Sequence, residues 1–80
     1  DLELSQVSIF PNPAEEYLKI ASEISFDKVI MQDIQGRTVK QKIIQGKQTK
    51  LNVSDLQGGV YIVNLYRSNQ PVGYKKVIVR

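Results

Sequence analysis

The sequence predicts an all-β fold, a seven-stranded antiparallel immunoglobulin-like β-sandwich. Apolar residues alternate with polar ones in short runs that are rich in Val, Ile and Tyr, and this composition with a period of two is typical of half-buried strands. Turn-forming residues separate the runs at intervals close to the roughly 8–12 residues found in β-sandwiches. No window shows the helical period, so we expect no helix longer than a turn.

Seven alternating runs define the predicted strands in chain order. They lie at residues 7–9, 18–20, 29–31, 39–43, 51–53, 61–65 and 77–79. Six turn signals lie between them, at residues 11–13, 22–23, 35–36, 45–47, 57–59 and 68–71. With a length of 80 residues, the chain is expected to form one domain.

Two of the predicted turns depend on single residues. Pro11 and Pro13 cannot donate hydrogen bonds to a strand ladder, so the first strand must end at Phe10. Gly36 can adopt a positive φ without steric cost, and the side chain of Asp33 can accept hydrogen bonds from turn amides. We therefore expect a hairpin turn at residues 33–36.

The segment before the longest predicted strand is expected to close one end of the core. Leu56 leaves the preceding strand at a corner, where its side chain can plug the core. Gly59 allows a sharp entry into the next strand. There Tyr61 should point inward with Val63 and Leu65, with its hydroxyl bonded to a backbone group.

The composition argues against an enzyme. The chain has no Cys and no His, which removes disulfides, thiolate nucleophiles, the commonest general base and the commonest metal ligand. Glu15 and Glu16 are adjacent, so in extended chain they point apart and cannot act as a paired acid and base. No calcium loop or phosphate-binding loop is present. We therefore predict no catalytic residues, no cofactor and no metal.

Charge is distributed unevenly along the chain. Up to Asp33 there are seven acidic and two basic residues, and after it there are nine basic and one acidic. Such a bias can mark a partner-binding surface, or interleaved strands can mix the two signs in space. The basic half has no recognised nucleic-acid motif, so nucleic acid is not a predicted partner. No apolar run is long enough for a membrane span, and the N-terminal residues do not resemble a signal peptide.

The last predicted strand has two interpretations. It combines apolar β-branched residues with cations, in the order Lys75, Lys76, Val77, Ile78, Val79 and Arg80. The cations can simply protect a sheet edge from aggregation. Alternatively, an edge strand can pair with a partner's strand, while its charges steer an acidic receptor. We predict that these six residues carry recognition.

Four blocks of the sequence occur together in the order and spacing of one family. The blocks are residues 7–14, 29–37, 51–61 and 75–80. The motif residues within the first three are Pro11, Asn12, Pro13, Asp33, Gly36, Leu56, Gly59 and Tyr61. The chain in these blocks resembles the type A C-terminal sorting domains of the type IX (Por) secretion system. Phe10 stands where Tyr is commoner in that family.

The resemblance implies a specific, non-enzymatic function. Such a domain directs a fused N-terminal cargo through the outer-membrane secretion translocon, and a sortase-like transpeptidase then removes it at the cell surface. The cargo is expected in the periplasm in transit, then at the cell surface or secreted. Removal before the first strand would make residues 1–6 the end of a linker and residues 7–80 the sorting domain.

Two other functions remain open from the sequence. One is a generic immunoglobulin-like carbohydrate- or protein-binding module of a surface protein. The other is a structural spacer within a larger surface protein. Whether the natural reading frame stops at Arg80 discriminates between them and the sorting signal, because a long continuation favours a module or a spacer.

Overall fold

The computed structural model describes residues 7–80, which form five strands and the turns between them. The predicted linker end, residues 1–6, lies outside the described residues. The strands are β1 (Val7–Phe10), β2 (Tyr17–Asp33), β3 (Thr38–Asn52), β4 (Gly59–Arg67) and β5 (Gln70–Val79). All strand ladders are antiparallel. Residues 7–80 contain no helix, and hence none that could cross a membrane. The prediction of an all-β antiparallel fold is confirmed.

The strand count differs from the prediction, because five strands replace the predicted seven. At residues 22–23 and 45–47 the chain continues without a turn, so four predicted strands merge in pairs into β2 and β3. The β2–β3 register shifts between Ala21 and Phe26. Gly46, the partner of Phe26, has a φ of 133°, which favours glycine. The predicted seven-stranded sandwich is therefore wrong in its strand count, because bulges can bend a strand without ending it.

The centre of the sheet is β2, whose two halves have different neighbours. The first half pairs with β1 and the end of β3, and the second half pairs with β4 and the start of β3. Beyond β4 lies β5. The sheet curls until β1 approaches β5, so that a Cβ atom added to Gly73 would lie 2.5 Å from Cγ2 of Val7.

The bend also brings the two halves of β3 together. The ammonium group of Lys42 donates a hydrogen bond to the carbonyl oxygen of Lys50 at 2.7 Å. Nearby, Nζ of Lys40 lies 2.8 Å from Oδ1 of Asp55. The hydrogen bond from Lys40 lowers the pKa of Asp55 below its ordinary value. These contacts join the two halves of β3 to each other and β3 to the segment that follows it.

One hydrophobic core receives side chains from all five strands. Its buried members are Val7, Ile9, Ala14, Leu18, Ile20, Phe26, Val29, Met31, Leu51, Val53, Tyr61, Val63, Leu65, Val77 and Val79. Leu56 is partly buried against them, as expected of a residue at the corner. Tyr61 is 7% exposed, and its hydroxyl donates to the carbonyl oxygen of Gln57 at 2.6 Å. The predicted inward direction of Tyr61 is therefore confirmed.

Candidate functional site

The terminal strand β5 presents its residues alternately to the core and to solvent. Val77 and Val79 are buried. Lys76 and Ile78 are exposed on the opposite face, while Lys75 is half-buried on the core side. The two adjacent lysines therefore belong to different faces, as the period of a strand requires. Arg80, which follows the strand, is exposed.

The outer edge of β5 is partly closed by residues 12–14. The amide of Ile78 donates to Oδ1 of Asn12 at 3.0 Å. Ala14 donates to the carbonyl of Ile78 at 2.8 Å and accepts from the amide of Arg80 at 2.8 Å, which forms a parallel bridge between Ala14 and Val79. We call these three hydrogen bonds the edge clamp. A partner strand could pair with this part of β5 only by displacing the clamp.

The edge clamp gives the Pro-Asn-Pro motif a structural role that the sequence does not predict. Pro11 and Pro13 end β1 as predicted, and Asn12 between them supplies the side-chain oxygen for β5. The contact joins residues that are 66 positions apart, so no local pattern indicates it. The available signal was an Asn held between two residues that cannot continue a strand ladder.

We expect Asn12→Ala to expose the Ile78 amide, since the substitution removes its acceptor. The net loss should be about 0.5–1.5 kcal/mol, the usual contribution of one hydrogen bond, so the fold should survive. Amide hydrogen exchange by NMR should show faster exchange at Ile78 and unchanged exchange at Val77. Asn12→Asp keeps an acceptor oxygen and should retain protection. Equal exchange at Ile78 in all three proteins would contradict this role for Asn12.

The hairpin turn between β2 and β3 forms around Asp33. Its Oδ1 accepts hydrogen bonds from the amides of Gln35 and Arg37 at 2.9 and 3.0 Å, and its Oδ2 lies 2.8 Å from Nε of Arg37. Gly36 has a φ of 86°, and its amide donates to the carbonyl of Asp33. The predicted turn is confirmed. The backbone hydrogen bond from Arg37, followed by its guanidinium, lowers the pKa of Asp33.

This lowered pKa predicts a pH-dependent contribution to folding. Because the folded pKa of Asp33 lies below its unfolded value, the carboxylate stabilises the fold above about pH 4 and loses this effect as the pH falls through the folded pKa. Asp33→Asn cannot titrate. We expect wild type to have a higher melting temperature than Asp33→Asn at pH 7. The difference between the two melting temperatures should shrink as the pH falls. A difference that is constant from pH 7 to about pH 2 would show that the Asp33 charge does not contribute.

The described residues offer no assembled metal site, since no group of three His, Cys, Asp or Glu side chains comes together among residues 7–80. The motif residues named in the sequence analysis occupy structural positions. Asn12 contacts the terminal strand, Asp33 and Gly36 form the hairpin turn, and Gly59 begins β4. The exposed residues of β5 are thus the part of the predicted site that a partner can reach.

Comparison with known proteins bears directly on this arrangement. No curated protein matches the chain. A family model described as "Secretion system C-terminal sorting domain" matches residues 8–80. This range contains all four blocks except Val7, and it includes the edge clamp and the whole of β5. The chain therefore belongs to the family of type IX secretion system C-terminal sorting domains.

Proposed function

We propose that this domain is the signal that directs an attached cargo protein through the outer-membrane type IX translocon, and that a sortase-like transpeptidase then removes it at the cell surface. The observation that carries the proposal is the family match over residues 8–80. Membership of the family implies export to the cell surface or secretion. The route would pass through the periplasm, and the domain would act by binding, without a catalytic residue, metal or cofactor of its own.

The terminal strand is the proposed contact for the translocon. Lys76, Ile78 and Arg80 are exposed, so their side chains can meet a partner without unfolding. Val77 and Val79 are buried and would support the strand from the core side. Because the edge clamp occupies the outward backbone groups of Ile78, side chains rather than strand pairing would recognise the partner at this position.

Charge would contribute mainly to the encounter. Lys76 and Arg80 have no carboxylate within 4.0 Å among the described residues, and Lys75 adds a third cation on the core side of the strand. Exposed cations can steer association with an acidic receptor and disfavour basic partners. They contribute little to folding, so their substitution separates recognition from stability.

Removal of the domain is proposed to occur before β1. From Val7 onward the chain is paired with β2, with Val7 opposite Ser22 and Phe10 opposite Lys19. Proteolytic enzymes cut poorly within chain that is tied into a sheet, which disfavours a cut from Val7 onward. Residues 1–6 are therefore the proposed location of the cut, and the cargo would precede them.

The test is a reporter cargo fused before the domain in a secreting cell. The fusion should reach the cell surface, whereas the same reporter without the domain should stay in the periplasm. Lys75→Ala with Lys76→Ala should leave the fold nearly intact and strand the reporter in the periplasm. Lys19→Ala with Lys47→Ala, which removes one exposed lysine of β2 and one of β3, is the matched control and should be delivered.

Two results would count against the proposal. Periplasmic retention of the wild-type fusion in a cell that secretes its own cargo would refute the signal function. Normal delivery of a well-folded Lys75→Ala, Lys76→Ala variant would show that the translocon does not recognise these lysines. The proposed signal function of the domain would still stand.

A further inference from the structure

The solvent side of the β2–β4–β5 half of the sheet is unusually apolar. We call it the outer face; its residues alternate with the buried ones of the second half of β2, of β4 and of β5. Its apolar and aromatic members are Ile30, Val60, Ile62, Tyr66, Tyr74 and Ile78. The solvated side of an antiparallel sheet normally carries polar residues, so folding of this domain does not account for them.

Strand register places apolar and polar side chains next to each other on this face. Val60 lies opposite Ile78, and Ile62 lies opposite Lys76. Tyr74 lies opposite Asn64, in the next pair that faces outward. Val60, Tyr74 and Ile78 are 38%, 46% and 43% exposed. The register also places the polar residues Gln32, Asn64 and Lys76 among them. The outer face is therefore a mixed surface, on which exposed apolar side chains such as those of Val60 and Ile78 suit an interaction site.

The outer face has charge of one sign only. Its polar members are Lys28, Gln32, Asn64 and Lys76, with Arg80 following the strand, and no Asp or Glu occurs on the outward positions of these three strand segments. Lys28 lies over the ring of Tyr66, with its Nζ 5.5 Å from the ring centroid. The cations and the aromatic side chains thus form one surface.

We propose that the outer face docks a protein segment that carries acidic side chains among apolar ones. This inference rests on the proposed function and extends its contact from β5 to β4. Apolar residues of the segment would cover Val60, Ile62 and Ile78, and its carboxylates would pair with Lys76 and Arg80. A second copy of this chain is a poor occupant, since it would bring two cationic faces together.

The apolar arm of the test uses Val60→Ser with Tyr74→Ser in the reporter fusion. Both residues lie outside residues 75–80, so these substitutions leave the proposed recognition residues of the terminal strand unchanged. We expect surface delivery to fall about tenfold or more, as for the loss of central interface side chains. Ile34→Ser, at an isoleucine of the β2–β3 turn that is 78% exposed, is the control and should be delivered normally. Protease resistance of the periplasmic fusion checks folding.

The charge arm uses Lys76→Glu, which should reduce delivery by about tenfold or more because it places like charges in contact. Lys76→Arg keeps the charge and should be delivered. Lys47→Glu reverses an exposed lysine at the β3 bend and should also be delivered. Equal loss for Lys76→Glu and Lys47→Glu would point to net charge and overturn the acidic-partner assignment.

The occupant itself is identified by a photoreactive benzophenone side chain at Val60 of the full fusion. We expect a cross-link to another protein, at a segment that contains Asp or Glu, and no comparable adduct from the same group at Ala21 on the other half of the sheet. An adduct with a second copy or with lipid, or no adduct at all, would overturn the proposal.

Normal delivery of the folded Val60→Ser, Tyr74→Ser variant would overturn it while leaving the proposed role of residues 75–80 intact. Failure of the wild-type fusion would reject the proposed function, and the cross-link would still decide the docking question.

Discussion

Tyr61→Ala is expected to remove a large share of the stability of this domain. The ring is almost fully buried and its hydroxyl is bonded to Gln57. Deleting a buried aromatic side chain costs about 3–5 kcal/mol, because the transfer energy is lost and a cavity remains. A domain of this length has a total stability of only about 4–12 kcal/mol. Urea unfolding should therefore show a large fall in the midpoint, or no folded baseline at all.

The control for this prediction is Tyr61→Phe, which keeps the ring and removes only the hydroxyl. It should cost about 0.5–1.5 kcal/mol, the loss of one hydrogen bond. We expect the unfolding midpoint to be highest for wild type, lower for Tyr61→Phe and lowest for Tyr61→Ala. The first difference measures the hydrogen bond of the hydroxyl, and the second measures the packing of the ring. A midpoint for Tyr61→Ala close to that of wild type would mean that the ring is not part of the core.

Gly73→Ala is expected to be the second most damaging of these changes. The added methyl group would lie 2.5 Å from Cγ2 of Val7, closer than two carbon atoms can pack, so either the buried Val7 side chain leaves its rotamer or β1 and β5 move apart. Overpacking of this kind costs about 1–3 kcal/mol. Gly59→Ala provides the matched control, since the nearest atom to its added Cβ is at 3.9 Å. We expect Gly59→Ala to be neutral or slightly stabilising, because alanine restricts the unfolded chain.

A double-mutant cycle can show that the cost arises at Val7. Val7→Ala removes the methyl group with which the new Cβ would collide, so the double variant should lose less stability than the two single changes together. Thermal or urea unfolding of the four proteins gives the coupling energy. Additive losses would locate the strain elsewhere and contradict the close approach of β1 and β5.

Alternation in the sequence predicts which side chains enter the core, since a period of two fixes the face of each strand residue. The inward directions of Tyr61, Val63 and Leu65 follow from this pattern. The bends at residues 22–23 and 45–47 do not, because polar residues occur both in turns and in bulged strands. Whether such residues form a turn or a bulge depends on the strand that pairs with them, and at this bend Phe26 pairs with Gly46.

The candidate site was predictable to a similar degree. Strand period places Lys76 and Ile78 on one face and the buried Val77 and Val79 on the other. By contrast, Asn12 bonds to Ile78 across 66 positions, and the apolar outer face combines residues from three strands. Both features require the register between strands, which a single sequence does not contain.

The edge clamp has a consequence for when the terminal strand becomes recognisable. It joins distant parts of the chain, and contacts of high contact order are slow to form because a long loop must first close. Until residues 78–80 are in place, Asn12 and Ala14 lack their partners on β5. A receptor that contacts Ile78 and Arg80 in this arrangement would therefore meet it only after the sheet has closed. We expect such a receptor to bind the folded domain and not to bind a domain whose sheet has not closed.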